Sequence, residues 1–178
     1  ERLCSMATNN VEELLALAAA LYQGLQAKQV LRRPELLLSP HEQEKLLKEV
    51  AARKREFISK AHTEGTRARS LLDAIGSYCR AKTFQPSAPI APGVTGVRLS
   101  QLELRKLHSK EGPLAERSAT LRRVLSECVA ENLLVARSSS ATTGRDSGTI
   151  FYLNRTLCAY YSLPLQMGGW QDVAATDL

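Results

Sequence analysis

The sequence is poor in the residues and motifs from which enzyme sites are built. Aromatic residues make up only 5% of its 178 residues, a content that suits Leu- and Ala-rich helices better than an all-β sandwich. It contains no GxxxxGK[ST] phosphate loop, no HExxH metal motif and no GxSxG nucleophile motif. The stretch GRDSG at 144–148 has no histidine nearby that could activate its serine. We therefore expect a protein that is not an enzyme.

A metal-binding pattern is also lacking, because cysteines and histidines are few and scattered. None of the four cysteines forms a CxxC pair, so the spacing of a zinc ribbon is absent. We expect no metal, no cofactor and reduced, buried thiols, as is usual in a reducing compartment. The residues concerned are Cys4, Cys79, Cys128, Cys158, His41, His62 and His108.

Long apolar runs and secretion signals are absent as well. No stretch approaches the roughly 20 apolar residues that span a bilayer. The apolar segment 14–21 lies inside a helical pattern and lacks the flanks of a signal peptide. We therefore expect a cytoplasmic protein without a membrane segment. The formal net charge of +6 suits an acidic partner such as nucleic acid, although solubility alone can account for such an excess.

Residues 1–82 carry two helical patterns. The first begins at Asn9 or Asn10, either of which can cap a helix, and its apolar residues recur at helical spacing as far as Val30. Helices of this kind usually pack against a partner helix. We interpret 1–82 as a long-helix module that packs within the chain or forms a homodimer.

The second pattern begins with the sequence SPHEQEKLL. Ser39 and Glu42 form a capping box, and Pro40 suits the first turn of a helix. The pattern continues to Cys79 as one helix of about forty residues, or as two helices separated near Gly65, because a glycine inside a helix costs about 1 kcal/mol relative to alanine.

A proline-rich segment separates this module from the rest of the chain. Residues 83–96 hold three prolines and two glycines. This composition predicts a linker without helix or regular strand. A second domain is therefore expected over 97–178.

The second domain begins with the pattern of two helices joined by a tight turn. The sequence SQLE at 100–103 is a capping box that opens one helix. HSKEGP at 108–113 is the turn, and 114–131 carries an apolar stripe at helical spacing. Two amphipathic helices around a glycine-containing turn are typical of a helix-turn-helix.

Two strand-like segments follow the second of these helices. Asn132 tolerates the left-handed conformation in which helices end. The segments 133–137 and 149–154 are rich in β-branched, leucine and aromatic residues. The polar sequence 138–148 between them predicts a hairpin with a long loop.

This order of elements resembles the recognition helix and wing of the winged helix-turn-helix family. The sequence TLRRVLSECVAENLLV…GTIFYLN is similar to the family's TxRRxLxxLxxxGLL helix and its wing strand ending in YxL. Cys128 and Asn132 stand where Leu and Gly are commoner. The resemblance covers 97–154, about a third of the chain, and 71–79 would supply the preceding helix. Together with the helical patterns of 1–82, it implies a mainly α fold: a long-helix N-terminal module plus a winged helix-turn-helix domain with a small β-hairpin wing.

The resemblance also implies a set of DNA contacts. In this family the second helix lies in the major groove and presents its N-terminal residues to base edges. Arg117 or Arg122 would pair with guanine, which is worth roughly 1–3 kcal/mol of discrimination. Phosphates would be bound by Arg123 and Lys110, and Arg145 on the wing would reach the minor groove or the backbone. The full set of expected DNA-binding residues is Lys110, Arg117, Ser118, Thr120, Arg122, Arg123 and Arg145.

Two functions follow from these patterns. The first is a sequence-specific or general duplex-DNA-binding protein that reads the major groove with 114–131, uses the 138–148 hairpin as a wing and acts in transcription regulation. The alternative is a winged-helix protein-interaction subunit of a replication, chromosome-handling or defence assembly, with no direct DNA readout, because fold alone does not fix function. RNA binding is less favoured, since the stacking aromatics of single-strand readers are missing. A DNA reader needs its arginines on one exposed face, whereas an assembly subunit buries that helix and exposes an apolar patch.

Overall fold

The structure is a computed structural model that describes residues 2–8, 10–32, 37–88, 93–108, 115–140 and 147–178. The predicted alternative cap at Asn9, most of the helix-turn-helix turn at 108–113 and most of the wing loop at 138–148 lie outside the described residues. The described helices are α1 (Arg2–Met6), α2 (Val11–Val30), α3 (Pro40–Ala61), α4 (Gly65–Thr83), α5 (Gln101–His108), α6 (Ala115–Ala130) and α7 (Arg155–Tyr160). The described strands are β1 (Val94–Ser100), β2 (Leu134–Ser139), β3 (Gly148–Leu153) and β4 (Gly169–Asp172).

The predicted caps begin the two long N-terminal helices. The Asn10 side chain accepts hydrogen bonds from the backbone N–H groups of Glu12 and Glu13 at 2.9 and 3.3 Å. Ser39 and Glu42 form the expected reciprocal capping box. Glu42 also accepts a hydrogen bond from Lys28 Nζ at 2.7 Å. That bond, together with those from Ser39, lowers the pKa of Glu42 to about 2.

The long second pattern forms two helices rather than one. α3 ends at Ala61 and α4 begins at Gly65, so the break near Gly65 is confirmed. A Cβ atom at Gly65 would collide with the carbonyl oxygen of Ile58. The absence of a side chain therefore lets the chain turn tightly between the two helices.

The second half has the winged-helix order of elements. β1 and β2 pair with β3 in antiparallel fashion, and β4 is added in parallel beside β1. Asn132 ends α6 with a φ of 52°, as its residue type predicted. The predicted mainly α fold with a small hairpin wing is confirmed.

The prediction that 83–96 contains no regular strand is wrong at its end. β1 begins at Val94, inside that segment. Gly96 lies within the strand, where the missing side chain leaves room for Tyr152. A Cβ atom at Gly96 would lie 2.8 Å from Cδ1 of Tyr152. Thr95 accepts a hydrogen bond from the backbone N–H of Gly168 at 2.8 Å. Pairing on both sides of β1 outweighs the local composition.

Two clusters of buried side chains hold the molecule together. The larger one joins α4 to the sheet and to the α5–α6 pair, through residues such as Leu72, Ile75, Val97, Leu99 and Leu125. α4 therefore supplies the helix that precedes the first strand of a winged helix. The smaller cluster joins α1, α2 and α3 to α7, and its buried members are Met6, Leu17, Leu47, Ala51 and Ala159.

A polar junction connects α3, α4 and α7. Arg55 donates to both carboxylate oxygens of Asp73, at 2.6 and 2.5 Å, and its guanidinium lies over the ring of Tyr160. Tyr161, which follows α7, donates its hydroxyl proton to the same carboxylate. Burial acts to raise the pKa of Asp73, but the bonds from Arg55 and Tyr161 outweigh it and lower the pKa. Burial and the bond to Asp73 raise the pKa of Tyr161.

Candidate functional site: the exposed side of α6

α6 occupies the place of the second helix in a helix-turn-helix. It follows α5 along the chain and packs against α4, α5 and β2. Val124, Leu125 and Cys128 of α6 are buried in the larger core. The opposite side of the helix therefore faces outward, along the line Glu116, Ala119, Arg123, Ser126 and Ala130. Only one of these five residues carries a positive charge.

The predicted base-reading arginines do not share one face of α6. Arg117 and Arg122 are five residues apart, so at 3.6 residues per turn they point about 140° away from each other. Arg117 is exposed and donates to the carbonyl oxygen of Thr176 at 3.4 Å. With Thr120 it lines a cavity of about 270 Å³ against α4 and Leu178. Arg122 is half-buried on the other flank.

Of the four remaining predicted contact residues, two are described by the structure and two are not. Ser118 is half-buried near the start of α6. Arg123 is 61% exposed, but its Nη2 atom lies 3.2 Å from Oε1 of Glu64 in an ion pair. Lys110 and Arg145 lie outside the described residues. The DNA-binding roles of all seven residues stay predictions.

The connector between α3 and α4 docks on one flank of α6. The carboxylate of Glu127 accepts hydrogen bonds from the backbone N–H groups of Thr63 and Glu64, at 2.8 and 2.9 Å. Glu64 in turn binds Arg123 of α6 and, at 2.6 Å, Arg67 of α4. One turn beyond Glu127, the Glu131 carboxylate lies 3.9 Å from Nδ1 of His62. The connector 62–64 thus covers the flank formed by Arg123, Glu127 and Glu131.

This flank carries a net negative charge. Glu64, Glu127 and Glu131 contribute three negative charges, and Arg67 and Arg123 contribute two positive ones. The balance of these five groups is 2 − 3 = −1. A phosphate approaching Arg123 there meets little attraction, because the guanidinium is already paired and acidic groups surround it.

Sequence reasoning missed the connector as a contact of α6. Arg123, Glu127 and Glu131 are spaced four residues apart, so they form one charged stripe on a helix. That spacing could have indicated a flank for pairing. Its partner lies more than 60 positions earlier in the chain, and a local pattern cannot reveal such a contact.

The described residues offer no reactive cysteine in the core. Burial raises the pKa of the Cys79, Cys128 and Cys158 thiols to about 12, so these thiols stay protonated at neutral pH. Within the described ranges, no three acidic, cysteine or histidine side chains are grouped as metal ligands would be. Among the same residues, no helix is both long and apolar enough to cross a membrane.

Comparison with known proteins gives one match. No curated protein and no solved structure is similar to the chain at a significant level. The model of a family described as ORC-CDC6-like matches residues 1–169, which include both the N-terminal helices and the winged helix. Domains of this family are winged-helix-containing and similar to replication initiators. The chain belongs to the ORC-CDC6-like family.

Proposed function

We propose that this chain is a winged-helix subunit of a replication-type assembly, in which α6 does not read base sequence. The observation that carries the proposal is the docking of the connector 62–64 on α6. This contact neutralises Arg123 and places Glu127 and Glu131 beside it. A helix that reads bases presents several free donors on one exposed side.

The family match supports the replication class of function and gives no support to transcription regulation. Duplex DNA remains a partner that the chain's charge favours, through the phosphate backbone. Such contacts position a protein on DNA without carrying sequence information. The described winged helix can supply them through Arg122, the exposed Arg105 of α5 and the exposed Arg137 of β2, because none of the three has a salt-bridge partner among the described residues.

The test is fluorescence anisotropy with several unrelated duplexes of about 25 base pairs, titrated across salt. We expect the dissociation constants of all duplexes to agree within about threefold, in the range of about 10⁻⁴–10⁻⁶ M at physiological salt that is typical of non-specific binding. The affinity should fall with salt in the same way for every sequence.

Two variants make the result specific to α6. Arg122→Ala/Arg123→Ala removes two charges from α6, and Lys45→Ala/Lys48→Ala removes two exposed charges from α3. The proposal predicts that each double variant still binds all duplexes with dissociation constants within about threefold of one another. It is wrong if one duplex binds more than about tenfold tighter than the others and only the α6 variant loses that preference. The sequence-reading function would then be correct.

A further inference from the structure

One face of α2 is apolar and, in the part of the chain that the structure describes, largely exposed. Val11, Leu15, Ala18, Tyr22 and Leu25 repeat at intervals of four and three residues, which is the spacing of a coiled-coil seam. We call these five residues the α2 seam. Val11, Leu15 and Tyr22 are 69%, 63% and 61% exposed, and Ala18 and Leu25 are half-buried.

The other face of the same helix is already occupied. Leu17 and Ala20 are buried, and Leu17 packs with Leu47 and Ala51 of α3. α2 is therefore apolar on both sides. A helix of this kind is normally buried all round, and a large exposed apolar stripe marks an interaction surface. An assembly subunit is expected to expose an apolar patch of this kind.

We propose that the α2 seam binds the α2 seam of a second copy of this chain, with the two helices antiparallel. The proposal rests on the proposed function, since it names the surface and the partner through which the subunit assembles.

The seam has the same order of large and small side chains in both chain directions. With Ala18 on the two-fold axis, Leu15 lies opposite Tyr22 of the second copy, and Val11 lies opposite Leu25. Large residues meet large ones, and the small Ala18 lets the two backbones approach at the centre. A two-fold interface needs this self-complementarity, because the same patch serves on both copies.

Charge favours the same partner and the same direction. No charged residue occurs between positions 14 and 27, so the middle of the seam offers nothing to a charged partner and nothing that repels a second copy. A parallel pair would place Glu12 beside Glu12 of the other copy. An antiparallel pair places it near Gln26 and also opposes the two helix dipoles.

The area that the seam can bury indicates which class of interface to expect. α2 has 20 residues and is therefore about 30 Å long, and a strip about 10 Å wide along it covers roughly 300 Å² of each copy. The total of roughly 600 Å² is below the 1,200 Å² or so of stable interfaces. We therefore expect a weak, reversible dimer.

Sedimentation velocity of the whole chain, from about 5 to 500 µM, tests the proposal. The average mass should rise with concentration from 19.6 kDa toward twice that value. Ala18→Glu and Ala18→Lys should each weaken association at least about tenfold, because like charges then meet on the axis. An equimolar mixture of the two variants should associate again. Ala16→Glu is the matched control, since Ala16 is exposed on the same helix but lies off the seam.

The outcomes separate clearly. A wild-type chain that stays at 19.6 kDa at every concentration overturns the proposal, and the seam then belongs to a different protein. A mixture of the two Ala18 variants that fails to associate overturns the two-fold pairing. Tighter association of Glu12→Gln overturns the antiparallel direction. Self-association is measured without DNA, so its failure is distinguishable from a failure of the proposed function. Circular dichroism of each variant confirms that the helices are retained.

Discussion

Replacing Asp73 with alanine removes the acceptor at the centre of the α3–α4–α7 junction. The change deletes two bonds from Arg55 and one from Tyr161, and it leaves the guanidinium without its partner. The Arg55 side chain is only 18% exposed and the Asp73 side chain is 31% exposed, so solvent replaces the lost bonds incompletely. Hydrogen bonds to charged groups contribute about 1.5–3 kcal/mol each. Because partial exposure screens the pair and the bonds share one carboxylate, we expect a loss of about 2–3 kcal/mol in total.

The assay is urea or thermal unfolding followed by circular dichroism. For a chain of this size, 1 kcal/mol corresponds to about 2–4 °C, so the midpoint should fall by about 4–12 °C. The variants Arg55→Ala and Arg55→Ala/Asp73→Ala complete a double-mutant cycle, in which the coupling between the two residues should exceed about 1 kcal/mol. Lys106→Ala is the control, because its ion pair with Glu103 is exposed on the lysine side and should contribute below about 1 kcal/mol. A coupling near zero would refute the junction as a stabilising unit.

Two further predictions concern a glycine and a carboxylate. Gly76→Ala should destabilise the fold by about 1–2 kcal/mol, since its Cβ atom would lie 2.5 Å from the Tyr161 ring. Gly24→Ala should be neutral or stabilising, because its Cβ atom would come too close only to the movable end of Leu46 and would make ordinary contacts with Leu38. Equal effects of the two changes on the unfolding midpoint would contradict this reasoning. The hydrogen bond from Lys28 is the main cause that lowers the pKa of Glu42 from 4.5 to about 2. The Glu42 carboxylate therefore stabilises the folded chain above about pH 4.5, and this stabilisation is lost as the pH falls toward 2. Glu42→Gln should therefore flatten the dependence of the thermal midpoint on pH between 4.5 and 2, and an unchanged slope would show that the Lys28 bond does not form in solution.

Signals confined to a few neighbouring residues were sufficient to predict much of the fold. Asn10, Ser39 and Glu42 begin helices because their side chains bind backbone N–H groups two or three residues away. Asn132 ends α6 because asparagine tolerates a positive φ. The helix, strand and strand order of the winged helix could be predicted from the periodicity of the helix and the composition of the two strands and their loop.

Contacts between distant segments could not be predicted in this way. β1 extends to Val94 because Val94 pairs with Gly169 of β4, and β3 pairs with the strand from Gly96 onward. The proline-rich composition around it indicated the opposite. The missing long-range contacts affected the prediction of the candidate site most. The charges on α6 were visible in the sequence, but Glu64, which pairs with Arg123, lies on a connector that no local pattern links to that helix.

The contacts between α1 and α7 have a consequence for how the chain folds. Arg155 and Thr156 donate hydrogen bonds to Thr8, Ser5 and Met6. The bonded residues are separated by 147 to 150 positions in the sequence. At a synthesis rate of about 5–20 residues per second, the N-terminal helices wait about 8–30 s for the segment that completes their packing. During that interval the α2 seam is exposed, and α3 alone covers the side of α2 that carries Leu17. The N-terminal helices should therefore be the last part of the chain to reach their native packing and the part that most needs protection from aggregation until then.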